Sequence, residues 1–236
     1  MNVLAFDTSF AACSVAVGRG LGGVEPESET RFELMQMGHA ERLVPMIGEV
    51  LADARLTLSE IDVVAVTVGP GSFTGTRISV ATARALALAS KARIVAASTL
   101  AVMADKAARA LAAERGPAQD LYRSDDLVAV VDARRGEFYA QRFAYRADGD
   151  GVDAQGGPMV ADLEQAARLG GMPKVDFCGS GAEAVAARAA KFGGEARWHF
   201  PDLLPGAADL MRKAARLGPL PFDQGGDASQ RPDQGA

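Results

Sequence analysis

Apolar and polar positions alternate with strand spacing at the start of the chain. Residues 3–9 and 12–18 are two apolar runs joined by a short turn, which predicts a β-hairpin. Residues 27–34 alternate charged and uncharged side chains and predict a third strand. A helical stripe of apolar side chains follows over residues 40–54, and Pro45 predicts that its regular part starts near Leu43.

Strands and helices then alternate through the first half. Residues 57–60 (Thr-Leu-Ser-Glu) have the spacing of a capping box, which predicts a short turn before the next strand. The hydrophobic pattern predicts a strand over residues 63–68, a helix over 74–90, a strand over 94–97 and a helix from Ser98 to about Gly116.

Much of this order recurs in the second half. The predicted elements are a hairpin over residues 127–132 and 136–143, a Gly- and Asp-rich loop, then helix 162–169, strand 174–178, helix 182–192, strand 197–200 and helix 206–217. Each hairpin begins with an apolar run that ends in aspartate, Asp7 or Asp132. The recurrence predicts an α/β protein with an internal duplication, in which each lobe is a mixed sheet covered by helices.

The predicted division places the first lobe at residues 1–116 and the second at residues 117–217. Residues 218–236 are dense in Gly, Pro, Asp and Gln, a composition that predicts a disordered tail.

Composition changes this picture in three respects. The formal net charge of -5 argues against a stand-alone nucleic-acid binder, so any contact with nucleic acid is expected to run through a partner. The two cysteines, Cys13 and Cys178, lie in separate apolar runs and are expected to be core thiols. The first residues show no signal-peptide pattern, and no uncharged apolar segment reaches the roughly 18–20 residues of a membrane span, so a cytoplasmic location is expected.

The sharpest motif is the run of residues 69–77, Gly-Pro-Gly-Ser-Phe-Thr-Gly-Thr-Arg, between a strand and a helix. Glycines at such a turn allow backbone N–H groups to converge on an anion. A Walker-type phosphate loop needs a Lys followed by Ser or Thr, whereas Thr76 and Arg77 stand there. The alternatives at this point are an anion-binding loop and a tight turn that starts a helix.

The helix that follows is small or apolar nearly all round, and Arg77, Arg84 and Lys91 are its charges. A helix exposed on one side normally shows a polar face. This helix is therefore either fully buried or packed against another protein.

Metal and hydrolytic sites find little support. The chain has two histidines, His39 and His199, and the position four residues after His39 is Leu43 rather than a ligand. We therefore expect no metal site, no Ser-His-Asp or Cys-His arrangement and no metalloprotease activity.

Asp7 is the one candidate cofactor-binding residue, because phosphotransferases of the actin-like class hold a metal-bound phosphate at the end of the first strand. The second half of such a site is altered here: Asp132 is followed by Ala133, Arg134 and Arg135 rather than by small residues, and residues 178–182 are explained as a strand-to-helix loop. We interpret Asp7 as a turn-capping residue beside a degraded nucleotide cleft. The alternative is a small ATP-dependent phosphotransferase or ATPase that uses Asp7 and the turn at 69–75.

Together these motifs resemble the TsaB (YeaZ) family. The residues that carry the resemblance are Asp7-Thr8-Ser9, His39 at the helix start, residues 69–78, Ser98-Thr99-Leu100 and residues 132–139 (Asp-Ala-Arg-Arg-Gly-Glu-Phe-Tyr). The match covers about residues 1–145 well and the rest loosely. It implies the duplicated actin/sugar-kinase fold (ASKHA, ribonuclease H-like) with two lobes.

The resemblance also implies a function. TsaB is the dimerisation partner of TsaD, the glycoprotease-like subunit that, with the ATPase TsaE, forms N6-threonylcarbamoyladenosine in tRNA. The catalytic relative binds metal through two histidines on its first helix, of which only His39 matches. A non-catalytic scaffold subunit is therefore implied, which binds a TsaD-like subunit, is joined by a TsaE-like ATPase, contacts tRNA indirectly and forms a homodimer when alone. No cofactor is expected on this subunit by itself, with ATP a candidate at the level of the complex.

The family's pairing surface uses the first helix and the helix after the Gly-rich turn. Carried over to this chain, the implied interface residues are Leu43, Ile47, Val50, Gly69, Pro70, Gly71, Ser72, Phe73, Thr74, Gly75, Arg77, Ile78, Ala81 and Ala85. One departure concerns the C-terminus: family members usually end in Pro-x-Tyr-Leu-Arg, which residues 221–236 lack.

Overall fold

The computed structural model describes residues 1–20, 27–115, 126–171 and 173–217. The first half forms a five-stranded sheet in the order β3-β2-β1-β4-β5. Its strands are β1 (Val3–Asp7), β2 (Ala12–Arg19), β3 (Glu27–Leu34), β4 (Val63–Thr67) and β5 (Arg93–Ala97). β1, β2 and β3 are antiparallel, while β4 and β5 continue parallel to β1, so the predicted hairpin and third strand are confirmed.

Three helices follow the pattern predicted for this half: α1 (His39–Asp53), α2 (Phe73–Ser90) and α3 (Thr99–Arg115). The capping box is also confirmed, since the Glu60 carboxylate accepts from the Thr57 N–H at 2.8 Å. The expected late start of α1 is wrong. α1 begins at His39 and includes Pro45, whose ring lies on the exposed side of the helix. Water can satisfy the one carbonyl that Pro45 leaves without a donor.

The second half forms a six-stranded sheet in the order β11-β10-β6-β7-β8, and β9 also pairs with β7. Its elements are β6 (Asp126–Arg134), β7 (Glu137–Tyr145), β8 (Val152–Ala154), β9 (Met159–Asp162), α4 (Leu163–Ala167), β10 (Lys174–Cys178), α5 (Ala182–Ala189), β11 (Glu195–His199) and α6 (Ala207–Leu217). The segment that contains β8 and β9 was expected to be a loop, and that expectation is wrong. The two strands have three and four residues, too few to show a period.

The internal duplication is confirmed by topology. The order β3-β2-β1-β4-β5 of the first sheet matches β8-β7-β6-β10-β11 of the second, with the same parallel and antiparallel pairings. Helices occupy equivalent places in both halves, after β3, β4 and β5 in the first half and after β9, β10 and β11 in the second. The two-lobed duplicated fold is therefore present as predicted, whereas the division at residue 116 and the tail at 218–236 lie outside the described residues.

The last helix of each half packs on the sheet of the other half. α3 contributes Leu100, Met103 and Ala107 to the core under β6 and β7, and α6 contributes Leu210, Met211 and Ala214 to the core under β1, β4 and β5. The two helices also meet each other, because the buried carboxylate of Asp105 on α3 pairs with Lys213 at 2.8 Å and with Arg216 at 3.0 Å on α6. The two lobes are therefore joined by α3 and α6, which cross between the sheets and contact each other.

Both cysteines are buried and free, as predicted for core thiols. Burial raises the pKa of Cys13 to about 11 and that of Cys178 still further, so both remain protonated at neutral pH.

Candidate functional site

The Gly-rich turn sits directly on the turn between β1 and β2. The N–H of Ser72 donates to the carbonyl of Ser9 at 2.7 Å. A Cβ placed on Gly71 would stand 2.6 Å from that same carbonyl oxygen, and one on Gly75 would overlap the carbonyl oxygen of Thr8. The two glycines are therefore required by close contact between backbones.

Side chains of the fold form hydrogen bonds with the first turn of α2. Ser72 is the N-cap, and its Oγ accepts from the N–H of Gly75 at 3.0 Å. The Thr8 hydroxyl donates to the carbonyl of Gly75 at 2.7 Å and lies 2.7 Å from the Oγ of Ser79, which accepts from the Thr8 N–H at 3.0 Å. These contacts favour the tight-turn interpretation over an anion-binding loop.

Asp7 is buried at the end of β1 among hydroxyl groups. Its carboxylate accepts from the Ser9 N–H at 3.1 Å, from the Ser9 Oγ at 2.7 Å and from the Oγ1 of Thr67. Burial raises the pKa of Asp7, and the hydrogen bonds from Ser9 and Thr67 lower it in part. A carboxylate that caps its own turn in this way matches the role interpreted from the sequence.

His39 is also occupied within the fold. Its Nε2 lies 3.0 Å from the carbonyl oxygen of Phe10, so the ring links the start of α1 to the turn after β1. Across residues 1–20, 27–115, 126–171 and 173–217, no three His, Cys, Asp or Glu side chains are grouped as a metal site would need.

The cleft between the lobes has an apolar lining. A cavity of about 440 Å³ there is bounded by side chains that include Phe10, Met103, Val131 and Leu203. The strand-to-helix loop after β10 packs tightly behind it, since a Cβ on Gly179 would stand 2.5 Å from the Val130 carbonyl oxygen. A nucleotide cleft usually presents convergent polar groups to phosphate, and this lining offers mostly hydrocarbon.

The residues implied as a partner interface separate into buried, half-buried and exposed sets. Leu43, Ile47 and Val50 are buried in the core of the first lobe against β1, β2 and β4, so the structure contradicts their place in an interface. Gly69 and Gly75 are buried too, and Pro70, Gly71 and Ile78 are half-buried at the base of α2. The exposed members are Ser72, Phe73, Thr74, Arg77, Ala81 and Ala85.

Apolar residues that were not predicted for the interface extend the exposed part of this set. Phe73, which was predicted, is 69% exposed, and Leu88 further along α2, which was not, is 84% exposed. On the neighbouring α1, Val44 is 57% exposed and Gly48 has open space around it. We call the surface formed by Val44, Gly48, Phe73, Ala81, Ala85 and Leu88 the α1–α2 face. Large apolar side chains exposed together on adjacent helices mark a protein-interaction surface.

Comparison with known proteins gives the family. The family model for TsaD, described as tRNA N6-adenosine threonylcarbamoyltransferase, matches residues 14–203. A solved structure of YeaZ from Pseudomonas aeruginosa is 30% identical, with a TM-score of 0.70 over 89% of this chain and 88% of that one. This chain belongs to the TsaB (YeaZ) family.

Two further TsaB (YeaZ) relatives agree with that assignment. A second Pseudomonas aeruginosa structure, of an uncharacterized protein similar to peptidase YEAZ, is 28% identical with a TM-score of 0.74 over 95% of this chain and 96% of that one. The Escherichia coli TsaB, a tRNA threonylcarbamoyladenosine biosynthesis protein, is 35% identical over 152 residues, 64% of this chain. The matched segments span 58% of that relative and 52% of the Haemophilus influenzae TsaB, about half the length of these curated proteins.

In this TsaB-family chain none of the helices that the structure describes is long and apolar enough to span a membrane.

Proposed function

We propose that this chain is the non-catalytic partner subunit that binds and supports a TsaD-like subunit in forming N6-threonylcarbamoyladenosine in tRNA. The observation that carries the proposal is the exposed α1–α2 face, on a chain whose interlobe cleft is lined with hydrocarbon. The names of its TsaB relatives supply the pathway.

The proposed complex has three further features. A TsaE-like ATPase joins the pair, and any ATP is held at the level of the complex, because Asp7 is engaged with Ser9 and Thr67. Contact with tRNA runs through the partner, in keeping with the net charge of -5. Alone in the cytoplasm the chain covers the same face by pairing with a second copy.

Ala85→Glu tests the proposal. Placing a carboxylate in the middle of the α1–α2 face forces an unpaired charge into the interface, which should weaken the complex with the TsaD-like subunit of the same organism by about a hundredfold or more. Co-purification and titration calorimetry measure the loss, and a tRNA-modification assay should fall in parallel.

Ala113→Glu is the matched control, because Ala113 is an exposed alanine on α3, remote from this face. Both variants should retain the wild-type circular dichroism spectrum. Unchanged pairing of the Ala85→Glu protein would rule the proposed interface out. Micromolar binding of ATP and magnesium by the isolated chain would instead support the phosphotransferase alternative.

A further inference from the structure

The exposed side of α2 carries a row of cations. Arg77 and Arg84 are seven residues apart, which places them on one side of the helix two turns from each other, and Lys91 is the residue that follows the C-terminal end of the helix. All three are exposed, and α2 contains no acidic residue between Phe73 and Ser90. Ala81 and Leu88 lie four residues after Arg77 and Arg84, so the cations border the apolar part of the α1–α2 face.

These cations lack acidic partners within the part of the chain that the structure describes. The guanidinium of Arg77 lies 3.6 Å from the centroid of the Phe73 ring and pairs with no described carboxylate, and the same holds for Arg84 and Lys91. An unpaired cation at a surface keeps its full field toward an approaching molecule.

Charges on the other side of α1 are neutralised. Arg42 pairs with Glu33 at 2.6 Å and with Glu49 at 2.7 Å, and Arg31 pairs with Asp53 at 2.6 Å, all on the flank of α1 that faces β3. The cations of α2 therefore differ from those on the opposite flank of α1, which carboxylates neutralise. They stand on a chain whose net charge is -5, so the positive field is local to this face.

A second copy of the chain is a poor electrostatic match for this face. In a two-fold dimer the same patch lies on both sides, so each side brings its three cations. Of the two exposed acids of α1, Asp53 is already paired with Arg31, which leaves Glu41 to offset them. Like charges brought together at an interface oppose association and thereby select against that partner.

We infer that the α1–α2 face is built for a partner whose facing surface is apolar and acidic, and that the α2 cations discriminate that partner from a second copy of this chain. The inference rests on the proposed function and names the chemistry of its interface. Apolar contact supplies affinity for either partner, while the charges decide between them.

The test is the double variant Arg84→Gln/Lys91→Gln, compared with Arg135→Gln/Lys191→Gln, which removes two exposed cations of the second lobe. Neutralising Arg84 and Lys91 should weaken binding to the TsaD-like subunit by about tenfold and strengthen self-association by several-fold. The control pair should change neither. Titration calorimetry measures the first equilibrium and sedimentation equilibrium the second.

Salt provides a second readout. Raising NaCl from about 50 mM to about 500 mM screens surface charges, so heteropairing of the wild-type chain should weaken and its self-association should strengthen. In the Arg84→Gln/Lys91→Gln protein both responses should be reduced.

The outcomes separate the two hypotheses. If the TsaD-like subunit binds and Ala85→Glu abolishes binding, yet the double variant leaves both equilibria and their salt responses unchanged, the electrostatic inference is wrong and the proposed function stands. If the TsaD-like subunit does not bind at all, the proposed function fails. Self-association that weakens with salt would by itself overturn the electrostatic inference.

Discussion

Asp7 lies at the carboxyl end of β1 in a pocket of hydroxyl groups. Here burial raises its pKa above the ordinary value of 3.8. A group whose pKa is raised on folding binds its proton more tightly in the folded state, so its contribution to stability is complete below pH 3.8 and is lost as pH rises through the folded pKa.

Asp7→Asn should therefore change the pH dependence of stability. The amide carries no charge, so the variant should gain in free energy of unfolding relative to wild type as pH rises from about 4 to about 7. Urea denaturation at a series of pH values measures the difference. A difference that moves in favour of the wild type over that range would show that Asp7 is stabilised as a carboxylate.

At the scale of single residues, helical periodicity selected the right helices and partly the wrong residues. Leu43, Ile47 and Val50 form the most regular apolar stripe of α1, and for that reason they face the core. Val44 and Gly48 lie between them in sequence but on an exposed side of the helix. A helical stripe indicates which residues lie on the same side of the helix. Whether that side packs on the sheet or binds another protein depends on where the sheet lies.

At the scale of elements, α2 is fixed to the first sheet by backbone contact at its N-terminal end as well as by the packing of Ala83 and Ala87. Its cap and the β1–β2 turn approach so closely that Gly71 and Gly75 have no room for a Cβ. The rest of α2 can therefore expose small residues to solvent, because the hydrogen bonds from Thr8 to Gly75 and Ser79 hold the helix in place.

Gly75→Ala and Gly48→Ala should therefore shift stability in opposite directions. The new methyl at position 75 overlaps the Thr8 carbonyl and should lower the free energy of unfolding by more than about 3 kcal/mol. At position 48 the methyl meets open space within α1 and should raise it by about 0.5–1 kcal/mol. Thermal denaturation of the two variants checks both signs, and equal effects would contradict the close-contact account.

The positions of several elements could be predicted because their hydrophobic pattern extends over many residues, as in α2 and in the hairpin of β6 and β7. The short strands β8 and β9 could not, since their pairing with β7 is a contact between distant residues rather than a local preference. Pro45 misled for a different reason: its exposed position makes the missing hydrogen bond tolerable.

At the scale of the whole molecule, two crossed helices hold the lobes together. Asp105 is the polar centre of that contact, because its buried carboxylate faces Lys213 and Arg216 and also accepts from the N–H of Val152 at 3.0 Å. α3, α6 and the second sheet meet at this one side chain.

Asp105→Asn should lower the free energy of unfolding by about 3 kcal/mol, because it leaves the partly buried Lys213 without a counter-charge and removes one of the two carboxylates that pair with Arg216. Asp148→Asn is the control, since Asp148 pairs with Arg146 at the surface and its loss should cost less than about 1 kcal/mol. Urea denaturation followed by the fluorescence of Trp198, the one tryptophan of the chain, measures both. Equal costs would show that Asp105 does not hold the lobes together.

The duplication itself was visible in the order of elements, from Asp7 and Asp132 onward. The packing of α3 on the second sheet and of α6 on the first could not be predicted from the sequence. Both helices have ordinary local patterns, and the sheet on which each packs depends on which sheet has an uncovered apolar side. Pairings across more than a hundred residues, such as Asp105 with Arg216, have no local signature.

The crossing has a consequence during synthesis on the ribosome. When the first 115 residues have emerged, the underside of the first sheet, including Val3, Ala5 and Val63, still lacks the helix that will cover it. That helix comes from residues 207–217, so the first lobe cannot be completed while translation continues through the second. A nascent chain arrested before residue 207 should bind chaperones through that uncovered surface, and the two lobes should not survive as separately expressed halves.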